Sequence, residues 1–462
     1  MSSNPNHSRS CDQANEGTMN IVNTVAALLS LDLGIAQPDN LKLLEQLSEH
    51  YPIELLRFPS GREHNGWVVP PEWKVRKALI SRNGEILFDG TVHPLAVARN
   101  SISFRGTIDK ATLDSHIFYK RDRPDTYVYH NLFTLRPWIQ DWGMCVPYSV
   151  YQNWPDGEYD IDLVTEHLPG EMLVGIMHRE GDIADTIVFN AHTCHPCQAN
   201  DDLAGVVMLV KLFRWLARST TRYNYLGVLA PEHLGTVFYT ADLDKKRLQA
   251  CKAGVFVEMP GARKPLAVQA SFHGNTGVDR VARNAVARIE AEPVFAPFRT
   301  LAGNDETVWE APGVDVPMVS LQRYLPEEYH TSDDTAESLS SDALESSFQA
   351  LCDMVRIYEY DYIPVRKFEG LLCLSNPKYN LYTERKKAYE RGKVYAERDK
   401  RLGMLQNTLP QYMDGANSVL DIAELSGLDF FSVKEYVDKY VSAGLVEQRP
   451  VDGLDHYERS GR

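Results

Sequence analysis

Residues Thr186–Gly205 read TIVFNAHTCHPCQANDDLAG, and the fold follows from how this stretch is understood. An apolar run ends at Ala191, a short polar segment carries His192, His195, Asp201 and Asp202, and a second apolar run starts at Leu203 with helical spacing. A strand that is apolar at every position is one buried on both faces, as in a sheet covered by helices on each side. The texture recurs in YNYLGVLAPEHLGTVFY from Tyr223, AGVFVEMPG from Ala253 and GVDVPMVSLQRYLPEEYHTSDDT from Gly313. These alternations predict an α/β fold: a three-layer sandwich around a mixed, mostly parallel sheet.

Each strand delivers polar side chains at its carboxyl end: Glu232 and His233 after the second, Glu258 after the third, Arg323, Glu327, Glu328, Tyr329 and His330 after the fourth. In such sheets the carboxyl ends of the strands converge on one crevice, where ligands bind. Imidazole and carboxylate are the ligands zinc prefers. The cluster therefore predicts a metal site, although any single member could serve as a helix cap or a structural histidine.

Working outward, residues 19–58 carry two stretches of helical spacing, Ile21–Leu31 and Leu41–Tyr51, with Asn40 placed to cap the second. Residues 59–151 are dense in β-branched and aromatic residues between turns, as in AVARNSISF and YVYHNLFTL, and predict a small β-rich insert. Residues 152–365 hold the α/β unit. Residues 366–462 open with a charged helical stretch, Thr383–Leu402, and continue with SVLDIAELSGLDFFSVKEYVDKYVSAGLVEQRP, the order of a winged-helix domain. Between Asp414 and Glu447 seven acidic residues face two lysines, the wrong sign for reading DNA.

The 462 residues exceed what one core accommodates, and 44% hydrophobic with 24% charged residues is ordinary globular usage. A net charge of −15 argues against nucleic acid and anionic membrane as partners. The leader is polar, and the apolar run from Leu203 to Ala217 is broken by Lys211 and Arg214, so a cytoplasmic chain with no membrane partner is expected. Seven scattered cysteines fit reduced thiols. Phosphate-loop, dinucleotide and serine-hydrolase motifs are absent from the sequence. Cys194-His-Pro-Cys197 is formally a redox motif, but its flanks fit a metal site better.

The ordered set of His, Asp, Glu-His, Glu and His, closed by GNDETVW from Gly303, VDVP and YHTSDDT, resembles the co-catalytic zinc aminopeptidases. HPCQANDDLAG, PEHLG and GNDETVW, with the β-rich insert and C-terminal winged helix, resemble more narrowly the bacterial aminopeptidase-like proteins of biosynthetic loci. The resemblance implies that Asp201 bridges two Zn2+ ions, that Glu232 is the general base, and that His233 stands where the family has a metal-binding Glu. It implies Glu258 and His330 as further ligands. For the first ligand it offers His192 and His195, with His195 preferred, since Cys194 replaces the Asp of the family's His-x-Asp motif. One ion would then hold His195, Asp201 and Glu258, and the other Asp201, His233 and His330; a single ion is the alternative. Two such ions, about 3.5 to 4 Å apart, acidify a shared water and polarise a carbonyl.

For substrate contacts, Asp305, Glu306, Glu327 and Glu328 are candidates to hold an amine, Arg323 to hold a carboxylate or oxyanion, and Tyr329 and Tyr324 to donate to that oxyanion. The expected reaction is hydrolysis of a peptide or small aminoacyl amide by a homo-oligomer, with the insert as a lid. A dedicated amidase or deacylase of a biosynthetic intermediate, and a non-catalytic binding or regulatory protein, are the alternatives.

Overall fold

A computed structural model describes residues 19–131, 136–382 and 397–458. The polar leader up to residue 18 and positions 383–396 of the expected charged helix lie outside the described residues.

The large sheet has eight strands in the order Glu54–Pro59, Glu171–Arg179, Asn224–Ala230, Thr186–His192, Cys251–Glu258, Met318–Gln322, Ala267–Gln269, Val294–Ala296. The middle four, Asn224–Ala230 through Met318–Gln322, run parallel. The pairs Glu54–Pro59 with Glu171–Arg179, Glu171–Arg179 with Asn224–Ala230, and Met318–Gln322 with Ala267–Gln269 are antiparallel. Alternating side chains separate into two cores. Phe189, Leu229, Val257 and Leu321 pack under the helices Ile21–Leu28, Ala204–Leu216, Gly277–Ile289 and Ser341–Tyr360. Val188, Val228, Phe256 and Met318 face Leu234, Phe238 and Trp309 on the other side. The mixed, mostly parallel sheet and its two helical layers are those the sequence predicts.

Asn40 does not cap its helix, which begins at Asp39. Its amide instead accepts from Gly34 N and donates to the Thr193 carbonyl, 3.1 Å each, tying the N-terminal helices to the end of the central strand.

A separate four-stranded antiparallel sheet has the order Glu85–Asp89, Glu72–Arg82, Glu158–Leu168, Phe104–Asp109. Glu158–Leu168 belongs to it, so the small sheet reaches beyond residue 151. Within AVARNSISF and YVYHNLFTL only Phe104 enters a named strand among the described residues, and isolated bridges join Val97 to Met144 and Val128 to Thr331; positions 132–135 lie outside the described residues. Backbone groups of the second run bond across to the large unit: Tyr129 N donates to the His330 carbonyl and Ser332 N to the Tyr127 carbonyl, 2.8 Å each.

At the C-terminus, helices Glu397–Tyr412, Val419–Ser426 and Phe430–Ser442 precede the strand Val446–Pro450, which pairs antiparallel with Tyr362–Arg366. Among the described residues no second wing strand follows. The chain turns into a short helix, Leu454–Glu458, whose Leu454 and Tyr457 enter the large core. No described helix is long and apolar enough to cross a membrane, and the six described cysteines are all free.

Asp361 joins this region to the large unit by accepting from Leu420 N (3.2 Å) and Tyr362 N (2.9 Å). Burial pushes its carboxyl up to about 7, against about 3.9 in an unfolded chain. The native state then holds the proton more tightly. Its contribution to stability is full below about pH 4 and falls as pH rises towards 7. The urea midpoint of Asp361→Asn is expected to drop less than that of wild type between about pH 4.5 and about pH 7.5. Equal drops would contradict this assignment.

Candidate metal centre

Asp201 organises the site. It lies in the irregular turn Ala199–Leu203 between the central strand and the helix Ala204–Leu216, with its peptide to Asp202 in the cis form. Asp334 holds the turn by accepting from Asn200 N (2.8 Å) and Asp201 N (3.1 Å). Asp202 laces two strand ends together, accepting from His192 N (3.3 Å) and Met259 N (3.2 Å). The first turn of the helix must be a glycine: a Cβ at Gly205 would stand 2.3 Å from the Asp202 carboxylate.

Three imidazoles surround the Asp201 carboxylate. His192 Nε2 lies 2.9 Å from Oδ1, while His195 Nδ1 and His330 Nε2 lie 3.3 and 3.1 Å from Oδ2. Burial alone would raise the Asp201 pKa, but His195, His192 and His330 outweigh it and hold the group well below the usual carboxylate range. Glu258, at the end of the next strand, shows the opposite balance: burial and the neighbouring Asp201 push it well above the usual range. Asn304 donates to its Oε1 at 2.5 Å.

Two triads converge within 4.8 Å: His192, Asp201 and Glu258, and His195, Asp201 and His330. Asp201 Oδ2, His195 Nδ1, His330 Nε2 and Glu258 Oε2 are buried and none has an aligned hydrogen-bond partner. Buried polar atoms are ordinarily paired. Buried acceptors left without hydrogen-bond alignment in both triads suit a cation, and the mixture of imidazole and carboxylate in each triad suits zinc.

The structure brings these residues together differently from the expected grouping in two respects. His192, at the strand end, stands with Asp201 and Glu258 in place of His195, because the strand carries its ring directly over the carboxylate; His195 turns to the other oxygen and joins His330. His233 takes part in neither triad. Its Nε2 lies 3.4 Å from Glu232 Oε1 and its Nδ1 3.4 Å from Asp305 Oδ1. Burial would lower the His233 pKa, but Asp305 and Glu232 raise it to about 9. Glu232 Oε2 in turn faces His195 Nε2 at 3.7 Å.

Cys194 occupies a fourth position in a further group with His192, His195 and Glu232. Its Sγ lies 3.8 Å from His192 Nδ1 and accepts from Glu232 N at 3.4 Å. Burial raises its pKa, but the adjacent imidazoles of His195 and His192 bring it down to about 7.

The expected substrate contacts are redistributed. Arg323 is turned away: its guanidinium donates to Ser347 Oγ (3.0 Å), Ser346 Oγ (2.6 Å) and the Lys264 carbonyl (2.5 Å), and lies 3.5 Å from Glu290. Asp305 is buried beneath His233 and accepts from Thr236, so it reaches no substrate. Tyr329 stacks on His330 with ring centroids 3.8 Å apart, and burial and the nearby carboxylates Asp201, Glu258 and Glu232 keep its hydroxyl protonated. A cavity of about 390 Å³ opens over the cluster, with His195, Glu232, His233 and His330 on one side. The other side comes from the 59–151 region and the N-terminal segment, including Trp73, Arg99 and Tyr129. The Tyr129 ring is 4.8 Å from that of His195 and 5.0 Å from that of His330.

Sequence reasoning missed Asn304, Asp334, Tyr129 and Arg99. Asn304 sits inside GNDETVW, where an amide between a glycine and two acids was the available signal. Asp334 sits inside YHTSDDT, four residues after His330; Tyr129 and Arg99 offered no such signal, because only the fold brings them to the cluster.

A family model described as a domain of unknown function, DUF4910, matches residues 23–361. A "Putative polysaccharide biosynthesis protein with aminopeptidase-like domain" of Clostridium acetobutylicum is 24% identical over 433 residues, 92% of this chain and 96% of that protein. Among solved structures, a "putative peptidase" of Clostridium acetobutylicum superposes with a TM-score of 0.76 at 22% identity, over 93% of this chain and 96% of that one. A zinc aminopeptidase of Bacillus subtilis superposes with a TM-score of 0.56 at 13% identity, over 73% and 93%.

Proposed function

The chain belongs to the DUF4910 family, and we propose that it is a zinc-dependent hydrolase that cleaves an amide bond of a small substrate with water. The observation that carries this reading is the pair of triads sharing Asp201, with Glu232 beside them at the cavity floor. The peptidase-like fold and the zinc aminopeptidase among its structural neighbours support the choice of reaction and metal.

His192, Asp201 and Glu258 would hold one ion, and His195, Asp201 and His330 the second. Bound there, zinc supplies an acidified water and a Lewis acid for the carbonyl. Glu232 takes the proton of the attacking water and returns it to the departing nitrogen. His233, backed by Asp305, contacts Glu232 and fixes its direction. Tyr329, stacked on His330, holds that ring in place beside Asp201. The residues that close the cavity from the 59–151 region limit access to small substrates.

Hydrolysis of a panel of aminoacyl and N-acyl amides is the test. Activity is expected on at least one, lost on chelation and restored by zinc. Activity untouched by chelation would overturn the metal, and inactivity of the zinc-loaded protein on the whole panel would overturn the reaction.

A further inference from the structure

An enzyme that selects a free α-amine must hold an ammonium group, and the side chains suited to that are carboxylates. None of the four acids nominated from the sequence reaches the cavity. Asp305 is buried under His233, and Glu306 accepts from Asn304 N (2.9 and 3.0 Å). Glu327 and Glu328 lie 3.3 and 3.8 Å from Arg123 and border a different depression. Among the described residues, the one acid lining the cavity is Glu232, the proposed base.

The far wall carries the opposite charge. Arg99 and Arg136 both line it, with the side-chain amides of Gln37, Asn100 and Asn131 beside them. Arg99 is built in. It is 6% exposed, donates to Asp32 and to the Leu33 carbonyl (3.0 Å), and lies over the Trp73 ring at 5.3 Å. Asp32 is not among the cavity's lining residues, so the carboxylate that balances Arg99 stands outside. Tyr129 spans the two ends: its ring meets His195 and His330, its hydroxyl accepts from Asn131 at 3.5 Å, and Arg99 N donates to the His130 carbonyl at 2.8 Å. The lining thus brings together His195 and His330 of the cluster, the Tyr129 ring between them, and the two basic residues Arg99 and Arg136.

We infer that the substrate enters with a carboxylate, not an ammonium, facing Arg99 and Arg136: an N-acylated amino acid or a similar anionic amide, whose amide carbonyl lies over the Asp201 cluster. The carboxylate anchor expected at Arg323 falls to these two residues. Arg99 is fixed in advance by Asp32 and Trp73, and a planar guanidinium meets a carboxylate with paired hydrogen bonds. This rests on the hydrolase reading of the same cavity and narrows its substrate class.

Calorimetry on full-length Glu232→Gln protein, which holds substrates without turning them over, tests it with three probes: N-acetyl-L-leucine, N-acetyl-L-leucinamide and L-leucinamide. The anion is expected to bind about tenfold or more tighter than the neutral amide, as a charge-assisted pair implies, and the cation weakest. In Arg136→Gln, at an exposed position, and in Arg99→Gln, that preference falls below about threefold at unchanged zinc content. Arg99→Lys, which keeps the charge and loses the fork, retains part of it. The titrations are repeated on zinc-depleted protein, because a carboxylate can also bind the metal. A preference that survives depletion and follows the arginines upholds the inference even where no hydrolysis is found. Tightest binding by L-leucinamide, a preference indifferent to both arginines, or no binding of any probe overturns it. A protein that hydrolyses amides yet prefers L-leucinamide overturns this inference alone and leaves the hydrolase reading standing.

Discussion

Glu232→Gln is expected to lower kcat/KM by about 10²- to 10⁴-fold, the contribution of a positioned general base, while zinc content stays at the wild-type value. Glutamine has nearly the volume of glutamate and leaves the cavity floor filled. It cannot take a proton at neutral pH. Glu232 follows the end of the strand Asn224–Ala230, with Oε1 at 3.4 Å from His233 and Oε2 at 3.7 Å from His195. It is outside both triads that share Asp201, so its loss leaves their ligand atoms in place. The zinc readout separates this account from one in which Glu232 ligates a metal together with Cys194, His192 and His195. In that case zinc and turnover would fall together. Full activity in the variant would refute the base assignment outright.

The second large effect reverses the ranking of two histidines, since the resemblance implied His233 as a ligand and left His192 second to His195. His192→Ala is expected to lose zinc, and His233→Ala to keep it. His192 Nε2 lies 2.9 Å from Asp201 Oδ1 in the triad with Glu258. Its removal should weaken zinc by more than the roughly 10- to 100-fold that loss of an outer partner costs. His233 points into the Asp305 and Glu232 carboxylates, so its loss lowers turnover by freeing Glu232 to rotate. Zinc content by elemental analysis, measured on both variants beside wild type, checks this. Loss of zinc in His233→Ala with retention in His192→Ala would restore the grouping read from the sequence.

That contrast marks where the sequence stops being legible. Apolar strands at Thr186–His192, Asn224–Ala230, Cys251–Glu258 and Met318–Gln322 were visible as continuous runs, because burial on both faces leaves no polar alternation to confuse the reading. The polar residues at their ends were visible for the same reason. Which of them meet was not. His192 and His195 are three positions apart, and only the path of the chain through Thr193 and Cys194 sends their rings to different oxygens of Asp201. Arg323 and Asp305 follow or adjoin the right strands, yet the neighbours that occupy them, Ser346 and Ser347 for one and His233 and Thr236 for the other, come from distant elements. Arg99 and Tyr129 lie in runs whose composition reads as strand. Their actual role, facing the cavity with isolated bridges behind them, depends on a long-range pairing that periodicity does not encode.

A zinc centre organised by Asp201, as proposed, should travel with the purified protein. Elemental analysis of wild-type protein purified without chelator tests it most directly. The account predicts close to two zinc ions per chain, both lost in Asp201→Asn. Protein that is folded and contains no zinc, and takes up none on addition, would contradict it.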